Sequence, residues 1–228
     1  EEIDFDELGE SDAAEVGTPR EVAPSMLWPV EQLALLSEAS LLRASQPHDG
    51  VSLEQLEPYV TSALAAPRNW VAHSMALHLK VRLDGSKSRL RHQSLMQLEA
   101  LVEGTTPGAL RDRAEECGVS HAELAMARVR GFWASSLEPL WRVKAELARS
   151  YAALGMFTEA SRLFGENGLW EEYVEALILI GDRVRAEQVV RERLEAEERA
   201  PAMLCLLGDL TEEEAHYVEA WEASKGAC

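Results

Sequence analysis

A recurring pair of residues constrains the fold of this chain more than any other feature. Leu or Ile followed by Gly recurs with the glycines at Gly155, Gly181 and Gly208, so the spacing is 26 and then 27 residues. Ala160 and Ala186 follow the first two glycines at the same distance. Glycine allows the left-handed backbone that ends a helix, and a small alanine lets the returning helix approach closely. Because such hairpins cannot bury their apolar faces alone, the repeat predicts a stack of helical hairpins, with Gly208 at the third turn.

Helical signals dominate the rest of the chain from residue 29 onward. Apolar residues recur at helical spacing, and the sequence shows no sustained period-two alternation typical of strands. The residues that predict helix starts are Asn69, Thr106 and three capping boxes, namely Ser52 with Gln55, Ser120 with Glu123 and Thr211 with Glu214. We therefore predict an all-α fold, an α-solenoid of stacked helical hairpins with about ten helices.

The first copy of the repeat follows the tetratricopeptide pattern. The matching positions are Leu147, Ala148, Tyr151, Leu154, Gly155, Phe157, Ala160 and Phe164. The usual first tryptophan is displaced to Trp141, the usual final proline is missing, and the second copy has Arg183 in an aromatic position. The positions that we predict to pack the hairpins together are Tyr151, Gly155, Ala160, Gly181, Ala186 and Gly208.

The charge of the chain is strongly negative and unevenly spread. Its 40 acidic and 22 basic residues give a formal net charge of −18, which disfavours coating of nucleic acid or binding to anionic membranes. Residues 1–21 hold nine acids and one base, and we expect an acidic disordered segment over 1–27. Residues 80–92 are locally positive, which predicts a site for an acidic partner or, alternatively, a solvated corner between helices. The candidate protein-binding residues are Arg82, Lys87, Arg89 and Arg91.

The sequence contains no pattern that indicates catalysis, a cofactor or a metal site. Phosphate-binding, dinucleotide-binding, nucleophile-elbow and calcium-loop signatures are missing. His73 and His78 are five residues apart, whereas zinc ligands on one helix usually stand three or four apart. The three cysteines have no metal or redox spacing. The six tryptophans stand at helical spacing among leucines and alanines, which favours the core over a binding groove.

Several longer stretches resemble the eukaryotic tetratricopeptide repeat protein 27 family. They are LEPYV at 56–60, NWVAHSMAL at 69–77, LMQLEALV at 95–102, RAEQVVR at 185–191, LCLLGD at 204–209 and YVEAWEASK at 217–225. The similarity covers about 30–103 and 138–226, the middle of the family protein. We therefore expect helical hairpins over 28–103, a diverged linker with helices over 104–137 and tetratricopeptide-like hairpins over 138–228. Because the chain begins with Glu1, we expect a piece of a longer protein whose repeat array continues.

The resemblance implies a helical-repeat scaffold that is not an enzyme and has no catalytic, cofactor or metal residues. It implies protein partners, including spliceosomal or chaperone-machinery components, because the family is associated with assembly of complexes such as the U5 spliceosomal ribonucleoprotein. We expect a cytoplasmic location that extends to the nucleus, without direct nucleic-acid or membrane binding. Two alternatives stay open: a coat or trafficking α-solenoid of the clathrin or coatomer kind, and a helical enzyme with an unrecognised active site.

Overall fold

A computed structural model describes residues 27–46, 50–67, 69–85, 87–196 and 200–226. The acidic segment expected over 1–27 lies, except for Leu27, outside the described residues. The described residues form twelve α-helices, each too short or too polar to span a bilayer, and two short 3-10 turns. The helices are α1 (Pro29–Ser45), α2 (Gly50–Ala65), α3 (Trp70–Gly85), α4 (Arg91–Glu103), α5 (Pro107–Cys117), α6 (His121–Val129), α7 (Leu140–Ala153), α8 (Phe157–Asn167), α9 (Trp170–Ile180), α10 (Arg183–Ala196), α11 (Pro201–Thr211) and α12 (Glu214–Ala223). The 3-10 turns are Ser88–Leu90 and Phe132–Ala134.

The prediction of an all-α solenoid is confirmed, because the described residues contain no strand and the helices pack as successive hairpins. Most helices pack mainly against their neighbours in the chain, and α4 packs directly on α7. The hairpin of α5 and α6 makes few contacts with this stack, chiefly through Arg128 on α6, which donates to the carbonyl of Gly104 and lies over the ring of Trp70. Ala114 is the one buried residue of α5 and α6. The array therefore continues from α4 to α7 across the 104–137 segment.

Three clusters of buried apolar side chains run along the array. The first joins α1, α2 and α3, the second joins α3, α4, α7, α8 and α9, and the third joins α9, α10 and α11. Leu36, Leu98 and Val190 are among their most completely buried members. Because α3 and α9 each contribute to two clusters, these two helices link the three clusters along the stack.

Side-chain caps explain three of the helix starts. Asn69 Oδ1 accepts a backbone N–H from the first turn of α3 at 2.7 Å, and Thr106 Oγ1 accepts one from α5 at 3.3 Å. Ser120 and Glu123 form the two reciprocal hydrogen bonds of a capping box at α6. These caps satisfy N–H groups that have no partner within the helix. The three predicted starts are confirmed.

The other two predicted capping boxes are wrong. Ser52 lies inside α2, which begins at Gly50. Thr211 is the last residue of α11, and its hydroxyl donates to the carbonyl of Leu207. Glu213 takes the N-cap position of α12 without a side-chain cap. A Ser or Thr hydroxyl can also bond the carbonyl of the preceding helical turn, so the four-residue pattern alone does not fix a helix start.

Two of the repeat glycines end a helix in the left-handed conformation. Gly155 follows α7 with φ 78°, and Gly181 follows α9 with φ 95°. The backbone N–H of the residue after each glycine donates to a carbonyl in the last turn of the preceding helix. Ala160 and Ala186, on the returning helices, are fully buried. The left-handed turn and the small buried side chain thus occur together in both hairpins.

The third glycine differs from the prediction. Gly208 lies inside α11, and the chain reverses at Glu212, which has φ 61°. A β-carbon at Gly208 would stand 2.7 Å from Cζ of Tyr217 on α12. The hydroxyl of this tyrosine donates to Asp209 Oδ1 at 2.7 Å, which holds the ring against the glycine. Gly208 therefore makes room for an aromatic ring and does not form the turn.

Replacing Gly155 by Val tests the first turn. A β-carbon there meets no atom within 4 Å, so the cost arises from the backbone, which must keep φ 78° with a β-branched residue. We expect Gly155→Val to lower the free energy of unfolding by about 1–3 kcal/mol in urea titrations. Gly155→Asn is the control and should lose clearly less, since asparagine tolerates this conformation. Equal stability of the valine variant and the wild type would contradict the turn.

Replacing Gly208 by Ala tests the contact between α11 and α12. The added methyl group must displace the ring of Tyr217, so we expect the free energy of unfolding to fall by roughly 1 kcal/mol. Gly165→Ala is the matched control, because its β-carbon would lie 3.6 Å from the ring of Tyr173, an ordinary contact. This control should be neutral or gain up to about 1 kcal/mol from helix propensity. Thermal melting of both variants measures the difference, and an equal gain in both would refute the close contact.

Candidate functional site

An ion-pair cluster ties α3 to α7. The guanidinium of Arg82 donates to both carboxylate oxygens of Glu146, with Nη2 2.7 Å from Oε2, and to Glu138 at 3.1 Å. His78 Nε2 lies 2.9 Å from the same Glu146 oxygen. Burial opposes ionisation of Glu146, but the hydrogen bonds and charges of His78 and Arg82 outweigh it and lower the pKa to about 2. Glu146 is therefore a carboxylate under ordinary conditions, and Arg82 is held inside the fold.

A groove opens beside this cluster between α1, α3, α4 and α7. It encloses a cavity of about 420 Å³, and Arg43, Arg82 and Arg91 line it. The other lining residues are Val81, Gly85, Ser94, Leu95, Glu146, Ser150, Ala153 and Leu154. We call this surface the basic groove. Its lining combines three positive charges, one negative charge and a set of apolar side chains, which suits an anionic group attached to an apolar one.

Arg43 gives the basic groove a charge that no carboxylate of the described residues binds directly. Its side chain is half-buried. Burial, followed by repulsion from Arg82, lowers the pKa of its guanidinium, and the charges of Glu146 and Glu138 only partly oppose this. Within the described residues it makes no hydrogen bond or ion pair. The nearby carboxylates of Glu138 and Glu146 are already bound to Arg82. A partly buried guanidinium gains from a hydrogen-bonded anion, so Arg43 is available to one from outside the fold.

A buried hydroxyl on the same groove also lacks a partner. Ser94 is only 4% exposed, and its Oγ has no hydrogen bond within the described part of the chain. It lies one turn into α4, whose first turn carries no acidic side chain and whose N-cap, Leu90, provides no side-chain cap. The partial positive charge of this helix N-terminus therefore adds to that of Arg91 on the same wall.

The structure separates the four predicted contact residues into two groups. Arg82 is bound to Glu146 within the fold, so it supports the basic groove from inside. Lys87, Arg89 and Arg91 are exposed, and their side chains have no partner among the described residues. Of these three, Arg91 lines the basic groove, whereas the other two lie on the turn between α3 and α4. The sequence reasoning missed Arg43, since it belongs to a different helix and to no local run of charge.

Tyr151, the aromatic residue of the first hairpin, joins α7 to α4. Its hydroxyl donates to Glu99 Oε1 at 2.6 Å, and its ring is largely buried in the second core cluster. Burial and the hydrogen bond to this carboxylate raise the pKa of Tyr151 to about 12. The tyrosine is therefore a neutral donor that connects two hairpins.

The expectation of a tryptophan core is wrong for four of the six tryptophans. Trp28, Trp133, Trp141 and Trp221 are 74%, 91%, 57% and 55% exposed. The first is the N-cap of α1, the second lies in a 3-10 turn, and the third is the second residue of α7. Helix ends and turns place a side chain outside the packed face even where its spacing from apolar neighbours is helical.

The described residues contain no group of three His, Cys, Asp or Glu side chains arranged to hold a metal ion. His73 is exposed on α3, while His78 is buried against Glu146. Cys117 is exposed and Cys205 is half-buried.

Comparison with known proteins gives several curated relatives, although no protein-family profile matches the chain. The chain is 28% identical over 200 residues to a tetratricopeptide repeat protein 27 homolog of Dictyostelium discoideum, covering 88% of this chain and 22% of that protein. It is 29% identical over 221 residues to a TPR repeat-containing protein of Schizosaccharomyces pombe, covering 88% and 27%. It is 22% identical over 158 residues to the Saccharomyces cerevisiae protein named essential for maintenance of the cell wall protein 1, covering 69% and 17%.

These relatives confirm the resemblance found in the sequence. Two of them are named as repeat proteins, which agrees with the stacked hairpins of this chain. The chain spans between 17% and 27% of the length of the three relatives. It is thus similar to one part of each of them.

Replacing Glu146 by Gln tests the ion-pair cluster. Because the folded state lowers the pKa of this carboxyl, its contribution to stability is present above the ordinary value of 4.5 and is lost as the pH falls through about 2. We expect Glu146→Gln to cost about 1–3 kcal/mol at neutral pH, since Arg82 loses its charged partner. When urea unfolding is repeated at a pH below the ordinary carboxyl pKa, the free energy of unfolding should fall less in the variant than in the wild type.

Glu172→Gln is the control for this experiment. Glu172 pairs with Arg149 at 2.8 Å on the surface, where the arginine side chain is 58% exposed. Such exposed pairs contribute at most about 1 kcal/mol, so this variant should be close to the wild type at every pH. An equal loss of unfolding free energy in the two variants would show that the cluster contributes no more to stability than an exposed ion pair.

Proposed function

We propose, from the premise that this chain is a relative of the tetratricopeptide repeat protein 27 family, that it is a non-enzymatic helical-repeat scaffold that binds protein partners through the basic groove. The observation that carries the proposal is Arg43, a half-buried guanidinium that has no acceptor within the described residues and faces an open groove. Two of the buried clusters hold the helices that form the walls of this groove in place. A rigid concave surface with one unsatisfied cation is suited to recognition of an acidic protein segment.

The chemistry of the groove supports a partner segment that is acidic and partly apolar. Arg43 and Arg91 provide two guanidinium groups for carboxylates, while Val81, Leu95 and Leu154 provide apolar surface. Arginine binds carboxylates with two parallel hydrogen bonds, which gives orientation as well as affinity. The net charge of −18 keeps such a partner away from most of the surface, so the basic groove is a local exception.

On the family resemblance, we also propose the wider role of this scaffold. Its partners are components of a large assembly or of the chaperone machinery that builds one, with the U5 spliceosomal ribonucleoprotein as the assembly that the family resemblance implies. The proposed location is the cytoplasm and, for the spliceosomal role, the nucleus. The names of the curated relatives support a helical-repeat protein, and the lining of the basic groove supports binding to a protein partner.

Quantitative affinity purification tests the groove. The bait is the whole chain, compared with a variant that carries Arg43→Glu and Arg91→Glu. We expect the recovered amount of each specific partner to fall about tenfold or more with this variant, because like charges then face the partner's acidic segment. Because Arg43→Glu places a carboxylate near Glu138 and Glu146, the melting temperature of the variant is measured alongside, and the comparison is made below that temperature.

The matched control carries Arg111→Glu and Arg130→Glu. These residues are exposed on or beside the α5–α6 hairpin, so the net charge changes equally while the groove stays intact. This control should keep the partners of the wild type. Partners that are retained by the groove variant, or lost equally in both variants, would overturn the groove as the binding surface.

A further inference from the structure

Two arginines of the basic groove carry charges that the nearby carboxylates do not bind. Glu138 and Glu146 are both held by Arg82, and a second, exposed arginine of α7 lies 3.5 Å from Glu138. These two carboxylates are thus matched by two guanidinium groups. Arg43 and Arg91 line the groove from α1 and α4, and neither makes an ion pair within the described residues. Their two positive charges are the ones available to a ligand.

The groove also has a hydroxyl that can donate to a ligand. Of the two serines that line it, Ser150 donates to the carbonyl of Glu146, one helical turn earlier, at 2.9 Å. Ser94 is 4% exposed, and its hydroxyl makes no hydrogen bond within the described part of the chain. A buried hydroxyl without a partner costs free energy, and rotation about one side-chain bond turns it toward the groove. An acceptor bound in the groove would remove this cost.

This set of donors suits a phosphate group better than a carboxylate. A phosphorylated serine or threonine carries a charge of about −1.5 to −2 at pH 7 and three oxygens that accept strong hydrogen bonds. A carboxylate carries one negative charge and two oxygens, so it leaves one positive charge of the groove unmatched. Two guanidinium groups and one hydroxyl therefore match a single phosphate group both in charge and in the number of its oxygens.

The rest of the groove favours a phosphate that is attached to a protein segment. The cavity of about 420 Å³ is much larger than a phosphate group, and Val81, Leu95 and Leu154 give it apolar surface. Apolar side chains next to a phosphorylated residue can cover this surface, whereas free phosphate cannot. The net charge of −18 disfavours the phosphates of an anionic membrane as the source.

We propose that the basic groove binds a phosphorylated serine or threonine of a protein partner, with the phosphate held by Arg43, Arg91 and the hydroxyl of Ser94. Apolar residues beside the phosphorylated one lie against Leu95 and Leu154. The inference rests on the proposed function for the choice of groove, and it adds that the partner binds after it has been phosphorylated. A kinase that acts on the partner then promotes the interaction, and a phosphatase reverses it.

Peptide pools test this proposal. Each pool has phosphoserine, serine or glutamate at a fixed central position, leucine at a fixed position beside it and mixed residues elsewhere, and binding of the whole chain to each immobilised pool is measured. We expect the phosphoserine pool to bind about tenfold more of the chain than the serine pool and about fivefold more than the glutamate pool. Equal binding to the phosphoserine and glutamate pools, or no binding to the phosphoserine pool, would overturn the proposal.

Arginine variants show whether the phosphate binds in the groove. Arg43→Ala with Arg91→Ala should reduce binding to the phosphoserine pool about tenfold or more, because both charged donors are removed. The matched control, Arg111→Ala with Arg130→Ala, removes the same charge from exposed positions on or beside the α5–α6 hairpin and should bind like the wild type. Equal binding by the two double variants would refute the groove as the phosphate site.

Replacing Ser94 by Ala separates the loss of a ligand contact from damage to the fold. Because the hydroxyl has no partner within the described residues, the melting temperature of Ser94→Ala should equal or exceed that of the wild type. Binding to the phosphoserine pool should nevertheless fall about threefold to tenfold, while binding to the glutamate pool should not change. An equal change in both pools would refute the hydrogen bond from Ser94 to the phosphate.

The failure of this inference can be distinguished from the failure of the proposed function. If both the glutamate and the phosphoserine pools bind equally and both are lost with the arginine variant, the groove binds acidic segments without a requirement for phosphate. If inorganic phosphate displaces the chain from the phosphoserine pool as readily as the same phosphopeptides in solution do, the ligand is free phosphate and this inference fails. The proposed function itself fails if the groove variant retains its partners in the affinity purification.

Discussion

The ion pair between Arg82 and Glu146 joins two parts of the chain that lie 64 residues apart in sequence. It binds α3 to α7 at the point where the array continues past the α5–α6 hairpin. Removing a guanidinium from water is costly unless carboxylates surround it, and Glu146 and Glu138 meet that requirement. Because both carboxylates are committed to Arg82, Arg43 faces the groove without an acceptor. The same bonds that join the two parts of the array therefore leave one wall of the groove positively charged.

Features that depend on a few neighbouring residues could be predicted from the sequence. Gly155 and Gly181 end their helices in the left-handed conformation, and Asn69, Thr106 and Ser120 cap theirs, because each depends on bonds within one turn. Gly208 shows the limit of this reasoning. A glycine inside a helix and a glycine after one look alike in sequence, and only the ring of Tyr217 on the next helix distinguishes them.

The candidate site was harder to predict, because its charges meet through packing between helices. A local run of basic residues identified Arg91, which lines the groove. The same run also contained Arg82, whose side chain is bound within the fold by Glu146 of α7 and by Glu138 just before it. Arg43 stands alone on α1 and gave no signal in the sequence. Arg43 reaches the groove only because α1 packs beside α3, and it lacks an acceptor only because the nearby carboxylates are bound to Arg82. The exposure of Trp133 could not be predicted for a similar reason, because the spacing of apolar residues does not show whether a side chain in a turn faces the core or the solvent.

The α5–α6 hairpin has a consequence for how the molecule opens. Ala114 is its one buried residue, while α4 and α7 on either side of it contribute many side chains to the second core cluster. Local opening costs little free energy where few apolar contacts are lost. Opening the hairpin breaks the contacts of Arg128 with Gly104 and Trp70 but exposes little of the core, so we expect it to open at a lower free-energy cost than the stack. The backbone amide hydrogens of residues 107–129 should then exchange with solvent faster than those of α4 and α7. One molecule thus combines a stable stack with a hairpin of lower local stability.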